Sequence, residues 1–195
     1  MKKAKYAIIA IALVCIICTG FYFVSKGQQT DEKQLTDIEK VILKDLEKDY
    51  PKTARSVMTL YNRILKGYYG GEATDAQIEK LADQMLCLLD EDLLLVNSRD
   101  EYLASVKADV KKYKAEKTVL LSTDVADSND IKYINDKKEG TTEVDELAYV
   151  KASYFTRTDG SFNTTNQEFV LRKDDEGRWK IISFYEIEGD SSNDD

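Results

Sequence analysis

Residues 144–188 read VDELAYVKASYFTRTDGSFNTTNQEFVLRKDDEGRWKIISFYEIE. Thr158-Asp159-Gly160-Ser161 and Asp174-Asp175-Glu176-Gly177 break this run into three pieces, Val144–Arg157, Phe162–Lys173 and Arg178–Glu188. Each piece is rich in β-branched and aromatic residues, and each break carries the Asp and Gly that tight hairpins use. The stretch therefore predicts three long strands in an antiparallel meander.

Upstream, the period of the apolar residues changes. Val119, Leu121, Thr123 and Val125 alternate with Thr118, Leu120, Ser122 and Asp124, which predicts a further strand. Asp127 to Thr142 is polar, a loop or a short edge strand with Ile131 and Tyr133. Before Lys117 the spacing is helical. Thr36 and Glu39, Thr74 and Gln77, and Ser98 and Glu101 are placed as capping boxes, each opening a helix. The first carries Ile38, Val41, Ile42 and Leu46 and is interrupted at Tyr50-Pro51. The cleanest stripe is Val57, Leu60, Tyr61, Ile64, Leu65 and Tyr68, a core-facing helix stopped by Gly70-Gly71. Ile78, Leu81, Ala82, Met85 and Leu89 face inward from the next. Tyr102, Leu103, Val106, Val110 and Tyr113 do so from the last. Leu93 to Val96 reads as a buried run, a strand or the tail of the preceding helix, and Cys87 as a buried small hydrophobe. Helices followed by a meander predict an α+β domain, the helices packed on one face of a curved antiparallel sheet.

At the other end, Tyr6 to Val24 contains no charge, with Lys2, Lys3 and Lys5 before it and Lys26 after it. As a helix it would span about 28 Å, close to the ~30 Å hydrocarbon core. A cleaved signal peptide is the rival, but its apolar core is usually shorter and ends in small residues. Here the exit is Phe21, Tyr22, Phe23 and Val24. A lipoprotein reading of Cys15 or Cys18 lacks the small preceding residue that processing wants, since Val14 and Ile17 stand there. The reading is an uncleaved, single-pass signal-anchor whose ends are Tyr6 and Val24. The lysine bias puts residues 1–5 in the cytoplasm and the domain outside it. Residues 25–34 read as a linker, 35–188 as the extracytoplasmic domain and 189–195 as an acidic, disordered tail.

Composition narrows the function classes. Residues 27–195 hold 24 basic and 36 acidic residues, a net charge of −12. That balance argues against nucleic acid, which is bound through clustered Lys and Arg. Histidine is absent, which removes Ser-His-Asp, Cys-His and His-ligated metal chemistry. Cys87 is the only cysteine outside the apolar segment, so no disulfide forms within the domain. Asp124 to Asp130 lacks the Gly and distal Glu of a calcium loop. No metal and no cofactor is called for. Lys107, Lys111, Lys112, Lys114 and Lys117 complement a helix C-terminus, with contact to an anionic envelope polymer as the alternative.

Helices leading into long hairpinned strands, with Phe169-Val-Leu-Arg-Lys-Asp-Asp-Glu-Gly-Arg-Trp-Lys-Ile-Ile182 as the most characteristic piece, resemble the nuclear-transport-factor-2-like (SnoaL-like, cystatin-like) domains. The segment Leu46 to Ile64 is similar to that of uncharacterised membrane-anchored proteins from clostridial-type bacteria. The resemblance covers residues 36–188 and implies a cone-shaped fold. It transfers no catalytic residue. Enzymes of that fold use polar residues in the cone, so Tyr61, Tyr102, Tyr154, Trp179 and Tyr185 are the candidates to line a pocket between helices and sheet. The bland reading of the same aromatics is core. The sequence leans toward a non-catalytic role, binding an envelope partner or a small ligand. The alternative is a small-molecule enzyme of isomerase, dehydratase or hydrolase type acting within the cone.

A retained anchor has a direct consequence. N-terminal sequencing or mass spectrometry of the membrane-extracted protein is expected to find Met1 or Lys2 at the start. A mature start near Lys26, or a lipidated Cys, would exclude it.

Overall fold

The computed structural model describes residues 34–137 and 144–188. The expected anchor 6–24 and tail 189–195 lie outside the described residues, among which no helix is long and apolar enough to cross a membrane.

Five helices precede the sheet: α1 (Asp37–Ile42), α2 (Ala54–Tyr69), α3 (Asp75–Leu86), α4 (Glu91–Val96) and α5 (Arg99–Ala115). All three expected capping boxes form, at Thr36, Thr74 and Ser98, and a fourth joins Thr53 to Ser56 at the head of α2. In each, the cap hydroxyl accepts from the backbone N–H three residues on, and that residue's side chain accepts from the cap N–H. These local bonds set where α1, α2, α3 and α5 begin.

The strands are β1 (Thr118–Val125), β2 (Lys132–Lys137), β3 (Val144–Thr158), β4 (Ser161–Lys173) and β5 (Trp179–Ile187). They form one antiparallel sheet in which β1 and β2 share an edge of β3, followed by β4 and β5. β3 and β4 pair from Leu147 with Arg172 to Thr158 with Ser161. The Asp159-Gly160 turn at their end puts both residues at positive φ, 45° and 90°. That is the geometry of a two-residue hairpin loop matched to strand twist.

Pairing assigns the faces. Ala148, Val150, Ala152 and Tyr154 of β3 lie beside Leu171, Phe169, Gln167 and Thr165 of β4, and the buried members of this set join the core shared with the helices. Val57, Leu60, Ile64 and Tyr68 of α2 meet them, with Ile78, Leu81 and Met85 of α3 behind. Asn62 is the polar exception in α2. It is buried, accepts a hydrogen bond from Tyr154 Oη at 3.1 Å, and directs its amide at the Asp124 carbonyl at 3.5 Å.

Register breaks in two places, between Leu120 and Ser122 on β1 and opposite Val170/Leu171 on β5. An extra residue in one strand bends it and raises local twist, so these bulges curve the sheet. The first also corrects the strict alternation expected of 118–125. Leu121 is the inserted residue, so Leu120, paired with Thr156, turns inward with Val125.

Two local expectations change. Leu93–Val96 is neither a buried strand nor the tail of α3 but most of the separate α4, with Leu95 83% and Val96 73% exposed. Asp90 caps α4, accepting from the Asp92 N–H, and so ends the previous segment. Cys87 is exposed, because α3 stops at Leu86 and the chain turns there; Leu88 takes the buried position. Of the two readings of the polar stretch after Asp127, the short edge strand is the one that forms, as β2 with Tyr133 in it.

Leu60, 4% exposed beneath the sheet, tests the layer contact. Leu60→Ala is expected to lower unfolding free energy by about 2–5 kcal/mol in a denaturant titration of the domain.

Candidate functional site

β3 and β4 extend past the part of the sheet that the helices fill, and a groove opens on the helix side at their distal end. Its volume is about 310 Å³. Tyr61, Leu65 and Tyr69 line it from α2, Tyr113 from α5, Leu120 from β1, Tyr154 and Thr156 from β3, Asn163, Thr165 and Gln167 from β4, and Phe184 from β5. The α2 members are spaced i, i+4, i+8, one helical face. The β4 members are spaced by two, one face of a strand.

Phe169 lies behind the lining. It is fully buried, with Tyr61 edge-on at 5.1 Å, Tyr154 at 6.5 Å and Phe184 stacked at 5.3 Å between ring centroids. Tyr69 and Tyr113 make a second aromatic wall, 4.4 Å apart and tilted by 31°. Burial pushes the phenols of Tyr61, Tyr68, Tyr69 and Tyr154 far above their ordinary range, and neighbouring phenols add to the shift. Taking a phenolate out of water is costly, so these groups stay neutral and act as donors. Tyr68 Oη, buried behind the groove, has no hydrogen bond at ordinary distance, although it faces Tyr102 and interacts with it electrostatically.

The five candidates separate. Tyr61 and Tyr154 line the groove, with Tyr61 half-buried rather than sealed in the core. Tyr102 is half-buried on α5 beside Tyr68, outside the lining. Trp179 belongs to the other end of the sheet. It is buried, packs on Tyr133 at 5.6 Å, and its carbonyl accepts from Tyr50 Oη at 2.8 Å. Tyr185 pairs with Glu168 on the opposite sheet face, exposed and donating to the Glu168 carboxylate, whose hydrogen bond raises the phenol pKa. Tyr69, Tyr113, Asn163, Thr165, Gln167 and Phe184 were missed. The signals were present: Tyr69 continues the spacing of Tyr61 and Leu65, and Asn163, Thr165 and Gln167 continue the alternation that buries Phe169 and Leu171.

A second cavity of about 510 Å³ lies around Asp90, Asp92, Asp145, Arg172 and Arg178. Its two arginines are already paired. Arg172 donates to both carboxylate oxygens of the buried Asp90 and to Asp92 at 2.7 Å, while Arg178 pairs with Asp174 and Glu176 at 2.9 Å. The hydrogen bonds that Arg172 donates to Asp90 and Asp92 hold its pKa above the usual value. This network fastens α4 to β4. Among the described residues no cluster of three or more Cys, Asp or Glu is placed to hold a metal.

Over residues 1–184 the chain matches the family described as Domain of unknown function (DUF6715), and it belongs to that family. No curated protein matches it.

The buried phenols predict an alkaline limit to stability. Their pKa values are raised on folding, so their contribution is complete below the unfolded value near 10 and is lost as pH rises beyond it, where only the unfolded chain ionises. In a tyrosinate absorbance titration, Tyr61, Tyr68, Tyr69 and Tyr154 are expected to ionise only together with loss of near-UV circular dichroism. Their smooth titration in the folded protein would contradict the burial.

Proposed function

We propose that the chain is a single-pass membrane protein whose cone-shaped, nuclear-transport-factor-2-like domain stands outside the cytoplasm and binds a small ligand without transforming it. The apolar, lysine-flanked run 6–24 supports the anchoring and the topology. Helices stacked on one face of a curved meander support the cone, with the open groove at its mouth.

The observation that carries the binding role is the chemistry of the groove. It is concave, largely aromatic, and edged by a few hydroxyl and amide groups, as ligand sites commonly are. None of its lining residues is a carboxylate, a lysine or an arginine, and its phenols are held neutral. Proton-transfer catalysis needs a group poised near the working pH. The lining supplies donors and acceptors instead, which orient a ligand. A groove of this size also favours a small ligand over the alternative of an envelope protein partner.

The test is capture. The protein incubated with an envelope extract is expected to enrich a small molecule detectable by mass spectrometry. Thr165→Trp, which fills the groove from a half-buried strand position, is expected to abolish that enrichment while melting within a few degrees of the parent. Equal capture by both proteins, or recovery of the molecule chemically altered, would reject the reading.

A further inference from the structure

We infer that the ligand of this groove is an uncharged sugar, one or two pyranose rings presented edge-on to β4. The inference rests on the groove-binding reading above and names the chemical class.

Charge comes first. The lining offers no side chain of either sign, so an ionic ligand would leave water without a counter-charge. The ligand is neutral.

The polar row comes second. Thr156, Asn163, Thr165 and Gln167 stand along β3 and β4 with hydrogen-bonding capacity left over. Thr156 Oγ1 reaches the Asn163 carbonyl, and Asn163 Nδ2 reaches Thr165 Oγ1, each at 3.4 Å, the weak end of the range. The Gln167 side-chain amide has no partner among the described residues. Amides and hydroxyls both donate and accept. A purely apolar ring would strip water from this row and return nothing, which is unfavourable. A ligand rimmed by hydroxyls satisfies it.

The rings come third. Tyr69 with Tyr113 from the helices, and Phe184 on β5 next to the polar strand, supply the aromatic surface of the groove. Phe184 is 55% exposed, a large apolar surface left uncovered at the groove mouth. A pyranose has both complements in one molecule: a C–H face for the aromatic walls and an edge of hydroxyls for the strand. At about 310 Å³ the space lies at the small end of ligand sites, which run ~300–1,000 Å³, and suits one or two such rings.

The experiment uses the full chain in phosphatidylcholine nanodiscs, free of sugar detergents, with saturation-transfer NMR. The probes are cellobiose and di-N-acetylchitobiose. Glucuronate and glucosamine serve as charged rings, and cyclohexanol and benzyl alcohol as uncharged apolar ones. Transfer to at least one neutral disaccharide is expected, abolished by Thr165→Trp and weaker by about tenfold for the charged rings, the consequence of one unmatched polar interaction. Gln167→Glu, nearly the same shape with a charge added, is expected to weaken the disaccharide by a similar factor without changing the melt. Tyr69→Ala is expected to weaken it as well, and Tyr69→Phe to restore it. Transfer to the apolar rings and not to the disaccharides, or disaccharide transfer indifferent to Thr165→Trp and Gln167→Glu, would overturn the sugar assignment. Capture from the envelope extract decides the groove-binding reading separately, so the two fail by different results.

Discussion

Phe169 sits at the point where the two layers meet, and much of the rest is arranged around its ring. It has no exposed surface and is flanked by Tyr61 from α2, Tyr154 from β3 and Phe184 from β5. Aromatic pairs in such edge and offset geometries contribute about 0.5–1.5 kcal/mol beyond burial. On one side of Phe169 the interlayer space is filled by aliphatic side chains, Val150, Leu171, Ile181 and Ile64. On the other, toward the β3–β4 turn, side chains become polar and the layers part. The same ring therefore closes the core and backs three of the residues that line the groove.

The groove follows from unequal lengths. A strand of 15 residues such as β3 extends about 50 Å, whereas the 16 residues of α2 extend about 24 Å. One helix cannot cover the strand, and α5 covers only part of what remains. The bulges bend the sheet and bring Leu120 and Phe184 to the groove walls. Residues lining an opening meet water as well as protein, which accounts for Asn163, Thr165 and Gln167 on a strand face that is otherwise apolar.

The opposite end is sealed by different means. Leu88 accepts from the Ile181 N–H, and the Asp90 N–H donates to the Ile181 carbonyl, each at 2.9 Å, a short parallel bridge on the outer edge of β5. Asp90 then turns its carboxylate to Arg172 and caps α4. A buried charge removed from its partner is costly, on the order of 3–5 kcal/mol. The bridge thus ties the turn after α3 to β5, and the ion pair ties the same turn to β4.

What the sequence alone determined is what depends on neighbours along the chain. Capping boxes, the α2 stripe, the hairpin turns and the change of period act within a few residues, and the α+β fold with helices on one face of an antiparallel sheet was legible from them. Tyr61 and Tyr154 were legible as groove residues because helical and strand spacing mark them as inward. Tertiary structure decided the rest. Trp179 and Tyr185 share β5 with Phe184, yet Trp179 is buried at the far end of the sheet and Tyr185 faces the other side. The reason is the register of β4 against β5 and the bulge within it, which no local pattern announces. Leu93–Val96 looked buried by composition, yet Leu94, Leu95 and Val96 are exposed, because Asp90 is held by Arg172, 82 residues away, and the helix it caps is turned outward. Hydrophobicity is a property of the residue; burial is decided by which distant segment arrives to cover it.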